Sequence, residues 1–320
     1  MTTRLEITDL VVRHKTRKGT VYAVSGITLE IGAGETLGLV GESGCGKSSL
    51  ARAVVGLNKP TSGTLTINGN QIDTRRHGQS AREIQMIFQD PYGSLNPRLT
   101  VWELVAEPLR VHRLRTRAER GDWVKGLLDR VGIPETMHDR LPHQLSGGQR
   151  QRVGIARALA LEPKIIICDE PVSALDVSVQ AQVLNLLVDL QSEQQLSYLF
   201  ISHDLEVIRY VSHWVAVMYL GVIVEIGSVE QIWTSALHPY TRALMQTTDN
   251  SETLNGPEVR LNSELPNPLA PPSGCRFRTR CPLAIERCAD EDPALRQKGA
   301  DHRVACHRVD EWANQVSASA

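Results

Sequence analysis

The chain opens on alternating apolar and polar residues. Residues 5–12, LEITDLVV, read as a half-buried strand, followed by a basic turn, HKTRKG, and a second strand, VYAVSGITLEI. After the GAGE turn, TLGLV is a short buried strand, and 47–57, KSSLARAVVGL, carries Leu50, Val54 and Leu57 at helical spacing. Residues 60–72, PTSGTLTINGNQI, predict a hairpin with Asn68-Gly69 at its turn. IQMIF at 84–88 is a short apolar strand. From about 100 to 160 the apolar positions recur every three or four residues, predicting several helices punctuated by proline. Buried strands return with IIIC (165–168) and YLFIS (198–202), and a helix over 178–195 is the crossover of a βαβ unit. The pattern as a whole predicts an α/β core interrupted by a helical insertion. Residues 246–274 are polar and rich in proline, which predicts a linker or wrapping segment, and NQVSASA at the end is expected to fray.

Composition narrows the class. Apolar residues make up 41% of the 320 and mean hydropathy is −0.20, enough for a sizeable core. The longest apolar stretch, Trp214 to Ile226, contains Gly221 and Glu225 and fits two strands and a turn better than a membrane span. The N-terminus lacks the apolar core of a signal peptide. A soluble, cytoplasmic chain is expected, with any membrane role exercised through a partner. Lys plus Arg (35) nearly balance Asp plus Glu (36), so overall charge argues against nucleic acid as a partner while leaving room for local phosphate sites.

Such a site lies at 41–48, Gly-Glu-Ser-Gly-Cys-Gly-Lys-Ser, between an apolar strand and a helix. Gly41, Gly44 and Gly46 permit turns that aim the amides of Ser43, Gly44, Cys45, Gly46, Lys47 and Ser48 at phosphate oxygens. The helix N-terminus adds partial positive charge. Lys47 reaches the β- and γ-phosphates, the Ser48 hydroxyl suits Mg²⁺, and Ser49 is placed for the α-phosphate. Asp169 and Glu170 close the IIIC strand at the edge where open α/β sheets bind ligands. Asp169 is the expected Mg²⁺ carboxylate, and Glu170 the group that orients or deprotonates a water.

Leu145-Ser146-Gly147-Gly148-Gln149, 20 residues before Ile165 and at the head of a helix, resembles the signature of ABC-type ATPases. Gln89 resembles their Q-loop, Ser173-Ala174-Leu175-Asp176 their D-loop, and His203 their switch histidine. The resemblance covers about residues 4–245. It implies a P-loop core of RecA type, an antiparallel β subdomain and a helical subdomain, and it implies hydrolysis of ATP with Mg²⁺. Glu170, His203 and Gln89 are then the catalytic set, and Ser48, Gln89 and Asp169 the magnesium set. Residues 145–149 face ATP on the P-loop of a second ABC ATPase subunit, commonly a different chain, with the D-loop residues Ser173 and Asp176 between them. The family places an aromatic against adenine; Tyr22 and His14 are the candidates.

Phe88-Gln89-Asp90-Pro91, Ser94-Leu95-Asn96-Pro97-Arg98 and His238-Pro239-Tyr240-Thr241-Arg242-Ala243-Leu244 resemble oligopeptide and dipeptide importers. This implies two transmembrane permease subunits, an extracytoplasmic solute-binding protein reached through them, and a peripheral position on the cytoplasmic face of the membrane. A nickel-type or other small-solute importer is the nearest alternative. A soluble ABC ATPase acting on nucleic acid or ribosomes is a second, disfavoured by the single cassette and balanced charge.

The expected division is an ABC nucleotide-binding domain over 4–250 (helical subdomain about 95–160), a Pro-rich linker over 251–274 and a Cys-rich extension over 275–310. Four of six cysteines, Cys275, Cys281, Cys288 and Cys306, fall in that extension. In a cytosolic protein the clustering suggests metal before disulfide. Their gaps are longer than the usual zinc pairing, which favours a 4Fe–4S cluster, while His302 and His307 keep zinc in play. The resemblance also implies a cluster. Cys45 contributes only backbone to the P-loop, and Cys168 is a small buried hydrophobe.

Overall fold

The computed structural model describes residues 5–72, 80–247, 259 and 265–311. Two antiparallel strands open the chain, β1 (Leu5–Thr16) and β2 (Gly19–Ile31). The basic stretch does not form a long turn: β1 runs through it to Thr16, and only Arg17 and Lys18 make the turn. β3 (Thr36–Val40) follows, then α1 (Lys47–Val54), β4 (Ser62–Ile67) and β5 (Asn70–Gln71). Asn68 and Gly69 both take positive φ (52° and 76°), the two-residue turn that the sequence predicts there. β1, β2, β4 and β5 form a four-stranded antiparallel sheet.

α2 (Ser80–Glu83) and the core strand β6 (Ile84–Ile87) lead into the helical insertion, which comprises α3 (Pro91–Ser94), α4 (Val101–Val111), α5 (Arg117–Arg130) and α6 (Gly147–Leu159). Three of these starts are written as capping boxes: Thr100 with Glu103, Thr116 with Glu119, and Ser146 with Gln149. Each satisfies two otherwise orphaned backbone donors at a helix start and is worth about 1 kcal/mol. Leu104, Val105, Leu109, Val124, Leu128, Val153 and Ile155 bury between these helices.

The remaining elements are β7 (Ile165–Asp169), α7 (Val177–Gln194), β8 (Ser197–Ile201), α8 (Leu205–Val211), β9 (Trp214–Tyr219), β10 (Val222–Ser228), α9 (Val229–Ser235), α10 (Pro239–Met245), α11 (Arg287–Asp290), β11 (Arg296–Gly299) and β12 (His302–Val304). The large sheet runs β11-β12-β10-β9-β3-β8-β7-β6. Its β6, β7, β8, β3 and β9 are parallel. Every residue of β3, β7 and β8 is buried, as expected of strands covered on both faces. Trp214 to Ile226 is the hairpin expected, turning at Leu220-Gly221 with positive φ at both.

The C-terminal residues are not a detached appendage. β12 pairs with β10 through Glu225↔Val304 and Ile226↔Arg303, so the large sheet continues into the cysteine-containing region. Buried Glu225 holds the junction, accepting from the backbone N–H groups of Leu237 and His238 and from His302 Nε2 at 2.7, 3.0 and 2.8 Å. Burial holds His238 down to about 4, so its neutral Nδ1 accepts from the Tyr240 N–H and caps α10. Residues 248–258 and 260–264, part of the expected linker, and 312–320 lie outside the described residues. Among the described residues no helix is long and apolar enough to cross a membrane.

Candidate functional site

A cavity of about 400 Å³ opens at the C-terminal ends of the parallel strands. It is lined by the loop from Ser43 to Ser49, by Gln89, Glu170 and His203, and by His14, Val21 and Tyr22 from the antiparallel sheet. The chain therefore brings one strand-to-helix loop and three separate strand ends onto one space.

Two glycines shape the loop by close approach. A Cβ at Gly41 would sit 2.2 Å from the Met218 carbonyl oxygen, and one at Gly46 would sit 2.0 Å from that of Ala23. Gly46 also takes φ +116°, which side-chain-bearing residues rarely adopt. Glycine here lets the loop nest between β2 and β9, and α1 starts directly behind it. No acidic residue stands in the first turn of α1, so its exposed amides and dipole favour an anion. Lys47 is only 6% exposed; its Nζ donates to the carbonyls of Gly41 and Glu42 at 2.6 and 3.2 Å. An ammonium buried with neutral acceptors alone suits an anionic ligand.

Ser48 Oγ donates to Asp169 Oδ1 at 3.0 Å, uniting two of the three groups expected around Mg²⁺. Burial raises the Asp169 carboxyl above its ordinary value, an effect partly countered by the Ser48 hydrogen bond. A desolvated carboxylate beside a hydroxyl has the chemistry of a divalent-cation site. Glu170 follows in left-handed backbone, φ +48°, held by its N–H to Ile201 O and by Ser173 Oγ donating to its carbonyl. This strained conformation turns its carboxylate to the cavity. Gln89 Nε2 donates to Glu170 Oε2 at 2.8 Å, and His203 Nδ1 lies 3.2 Å from the same oxygen. Gln89, Glu170 and His203, 114 residues apart at their extremes, thus form one polar cluster around the Glu170 carboxylate.

Both aromatic candidates reach the cavity. Tyr22 is stacked beneath the Arg13 guanidinium, 5.1 Å from the ring centre, and His14 Nε2 is 3.2 Å from Ser49 Oγ. Leu145, Ser146, Gly147, Gly148 and Gln149 do not line this cavity. Ser146 caps α6 and accepts from the Gln149 N–H, and Gly148 packs so near Val179 that a Cβ would stand 2.3 Å from it. Asp176 caps α7 by accepting from Val179 N–H and Ser178 Oγ, while Ser173 turns back to Glu170. Sequence reasoning missed Val21, Ala23, Leu220 and Pro268 as cavity walls. Val21 and Ala23 flank Tyr22 in β2 and were legible as its neighbours; nothing in the sequence marked Pro268.

Cys45 and Cys168 are buried thiols whose pKa is pushed up by burial, as expected of inert positions. The four tail cysteines are all free thiols. Burial is the main cause that raises Cys275, Cys281 and Cys306, and neighbouring tail thiols add to it, so the four share one neighbourhood. Burial raises Cys275 to about 11 and Cys281 to about 12. Among the described residues, however, no three His, Cys, Asp or Glu side chains are disposed to hold a metal ion. The expected metal-binding extension is to that extent unsupported: the thiols neighbour one another without closing around an ion. His302 and His307 do not join them in a zinc site, being spent on Glu225 and on the Glu291 carbonyl.

Known proteins agree with this geometry. Residues 24–173 match the ABC transporter family, and 224–288 match the C-terminal region of oligopeptide/dipeptide transporters. The chain is 50% identical, over 96% of both lengths, to the oligopeptide transport ATP-binding protein OppF of Salmonella typhimurium. It is 46% identical to the di/tripeptide transport ATP-binding protein DppF of Pseudomonas aeruginosa, over 98% of this chain and 99% of that one. Among solved structures it resembles the dimeric ATP-binding cassette MJ0796 bound to ADP and Pi (TM-score 0.63, 30% identity, 70% of this chain and 98% of that one). It is also similar to cbiO1 of Clostridium perfringens, part of the transporter complex cbiONQ (TM-score 0.64, 31% identity, 72% and 90%). The chain belongs to the ABC ATPases, within the oligopeptide/dipeptide-transporter family of ATP-binding subunits.

Proposed function

We propose that this chain hydrolyses ATP to drive peptide uptake through two membrane-spanning permease subunits, paired with a second ABC ATPase chain on the cytoplasmic face of the membrane. The observation that carries the reading is the convergence of the phosphate loop, the Ser48–Asp169 pair and the Gln89–Glu170–His203 cluster on one cavity. The loop amides and Lys47 hold the phosphates. Ser48, Asp169 and Gln89 would hold Mg²⁺, which would supply charge neutralisation on the phosphate oxygens. Glu170 takes the proton of the attacking water as the bond to the γ-phosphorus forms, leaving ADP and phosphate; Gln89 and His203 hold the carboxylate in place. Tyr22 serves as the adenine-facing aromatic, with His14 turned to Ser49.

Residues 145–149 lie outside the cavity of their own chain, which supports a role toward a partner's ATP, with Ser173 and Asp176 at the seam. The domain division over 4–250, 251–274 and 275–310 is retained as a functional one: motor, wrapping segment and tail. Peptide as cargo is supported by the C-terminal match and by whole-length relatives that are peptide-transport proteins. A solute-binding protein delivers that cargo to the permeases, so specificity lies outside this chain. Labelled dipeptide and nickel uptake, measured in cells lacking the chain and supplied with it in trans, separates the cargo readings. Peptide uptake should return and nickel uptake should not; the reverse would reassign the cargo.

In the tail, the finer reading is a 4Fe–4S cluster on Cys275, Cys281, Cys288 and Cys306. Its support is the donor set: four free thiols in one neighbourhood, the number and type of ligand such a cluster takes. Such a cluster supplies a covalent four-point tie. Anaerobic reconstitution with iron and sulfide should give broad visible absorbance in the full chain, abolished by Cys281→Ser. Protein that stays colourless, with all four thiols still titratable, would contradict this reading.

A further inference from the structure

We propose that Tyr240 and Arg280, from the C-terminal region, are positioning residues of the ATP site that hold the phosphate loop at Glu42 and thereby fix its affinity for nucleotide. The inference rests on the ATP-site reading of that loop. Glu42 is the loop's second residue, at a position where the motif tolerates any side chain, yet all of its polar groups are engaged. Its backbone N–H donates to Tyr240 Oη at 2.9 Å. Its carboxylate receives Arg280 Nη1 on both oxygens, each at 3.0 Å, across 238 residues of sequence. Its carbonyl accepts from Lys47 Nζ at 3.2 Å and from the Cys45 N–H at 3.2 Å. A shift of Glu42 therefore moves the acceptor that orients Lys47 and the turn that presents the next amides.

The gripping groups are themselves rigidly held. Tyr240 is fully buried, and its ring centre lies 4.7 Å from that of Tyr219 and 5.5 Å from that of Phe277. Arg280 is 6% exposed and its guanidinium lies over Tyr219, 5.8 Å from the ring centre. A guanidinium this buried requires its carboxylate, so the pair is held far more firmly than one at the surface. Arg280 immediately precedes Cys281, and Phe277 lies between Cys275 and Cys281, so the cysteine-containing turn carries the groups that reach the loop. Tyr240 supplies the second hold from the His238-Pro239-Tyr240 segment, which neutral His238 caps.

The test uses the full-length chain and a methylanthraniloyl-labelled ATP, with Arg280→Met, Glu42→Gln, their double variant and Tyr240→Phe. Each single variant should weaken binding about tenfold, as for loss of a charge-assisted or buried hydrogen bond. KM for ATP should rise in parallel while the rate at saturating ATP stays within about twofold, the pattern of lost binding rather than lost chemistry. The double variant removes the buried unpaired charge, so its melting temperature should recover toward that of the unaltered chain while its affinity stays low. Affinity that recovers together with melting temperature, or that never changes in Arg280→Met, would overturn the proposal. If Arg280→Met fails to fold, unchanged affinity in both Tyr240→Phe and Glu42→Gln would overturn it equally. Failure of the unaltered chain to bind the probe would instead overturn the ATP-site reading.

Discussion

Glu170→Gln should lower steady-state ATP hydrolysis about a hundredfold to a thousandfold and leave ATP affinity nearly unchanged, the range expected for removing a general base. The substitution keeps size and shape. A glutamine at 170 still offers an acceptor to Gln89 Nε2, so the cluster with Gln89 and His203 remains closed. The phosphate loop is untouched, and so are Ser48 and Asp169. What disappears is the carboxylate that accepts a proton from water at the γ-phosphate. The check is paired: turnover by phosphate release, and affinity by labelled-ATP titration in the same preparation. Hydrolysis at the unaltered rate would remove Glu170 from the chemistry. A parallel collapse of affinity would make it a structural residue of the cavity wall.

Gly46→Ala should abolish detectable ATP binding and destabilise the fold by about 3 kcal/mol, summing the left-handed backbone penalty and core overpacking. The new methyl group would meet the Ala23 carbonyl oxygen at 2.0 Å and the Met218 Cε at 2.6 Å. The Met218 side chain can yield, but the Ala23 carbonyl belongs to β2. The chain beside it is pinned where the Ser25 N–H meets Gly221 O and the Gly221 N–H meets Cys45 O, both at 2.8 Å. Relief therefore has to come from the loop, which withdraws the amides ahead of Lys47 and Ser48. Gly44→Ala is the matched comparison: φ is +81° but nothing lies within 4 Å of its Cβ. It should cost only the backbone term, about 1 kcal/mol, and escape the steric one. Urea melts and labelled-ATP titration of the two variants read both quantities; equal behaviour of the two would contradict the steric account.

Local patterning made most of this molecule legible. The strands β3, β7 and β8 announce themselves because burial on both faces demands unbroken apolar runs, and the turns at Asn68-Gly69 and Leu220-Gly221 carry residues suited to positive φ or a glycine. The phosphate loop is legible for the same reason: its chemistry needs glycines and a lysine at fixed spacing within eight residues. Glu170, Gln89 and His203 are individually ordinary at strand ends, and only the family's order of motifs connected them before the structure placed them together. The boundaries were less visible. The basic stretch continues β1 because Lys15 and Thr16 face solvent, where charge is no obstacle, while half-buried His14 turns to Ser49.

The C-terminal region was the least legible. β11 and β12 are short and polar, RQKG and HRV, and they acquire strand structure only by long-range pairing, β12 onto β10 and β11 onto β12. No local period encodes that pairing. Arg280 looks like one arginine among several between two cysteines, yet its partner is 238 residues away in the phosphate loop. Pro268 reads as linker composition, yet it lines the cavity beside Tyr22. The cysteine spacing led to the expectation of a metal site, which the described residues do not support, because spacing fixes neither the distance between thiols nor what lies among them.

Glu170 is proposed here as the base of the ATP hydrolysis that drives peptide uptake. The most direct measurement is phosphate release by the assembled transporter in proteoliposomes, with peptide-loaded and peptide-free solute-binding protein outside, for the unaltered chain and for Glu170→Gln. Hydrolysis should rise when peptide is supplied, labelled peptide should accumulate in step, and both should vanish with Glu170→Gln. Hydrolysis indifferent to peptide, or peptide accumulation that survives Glu170→Gln, would contradict the account.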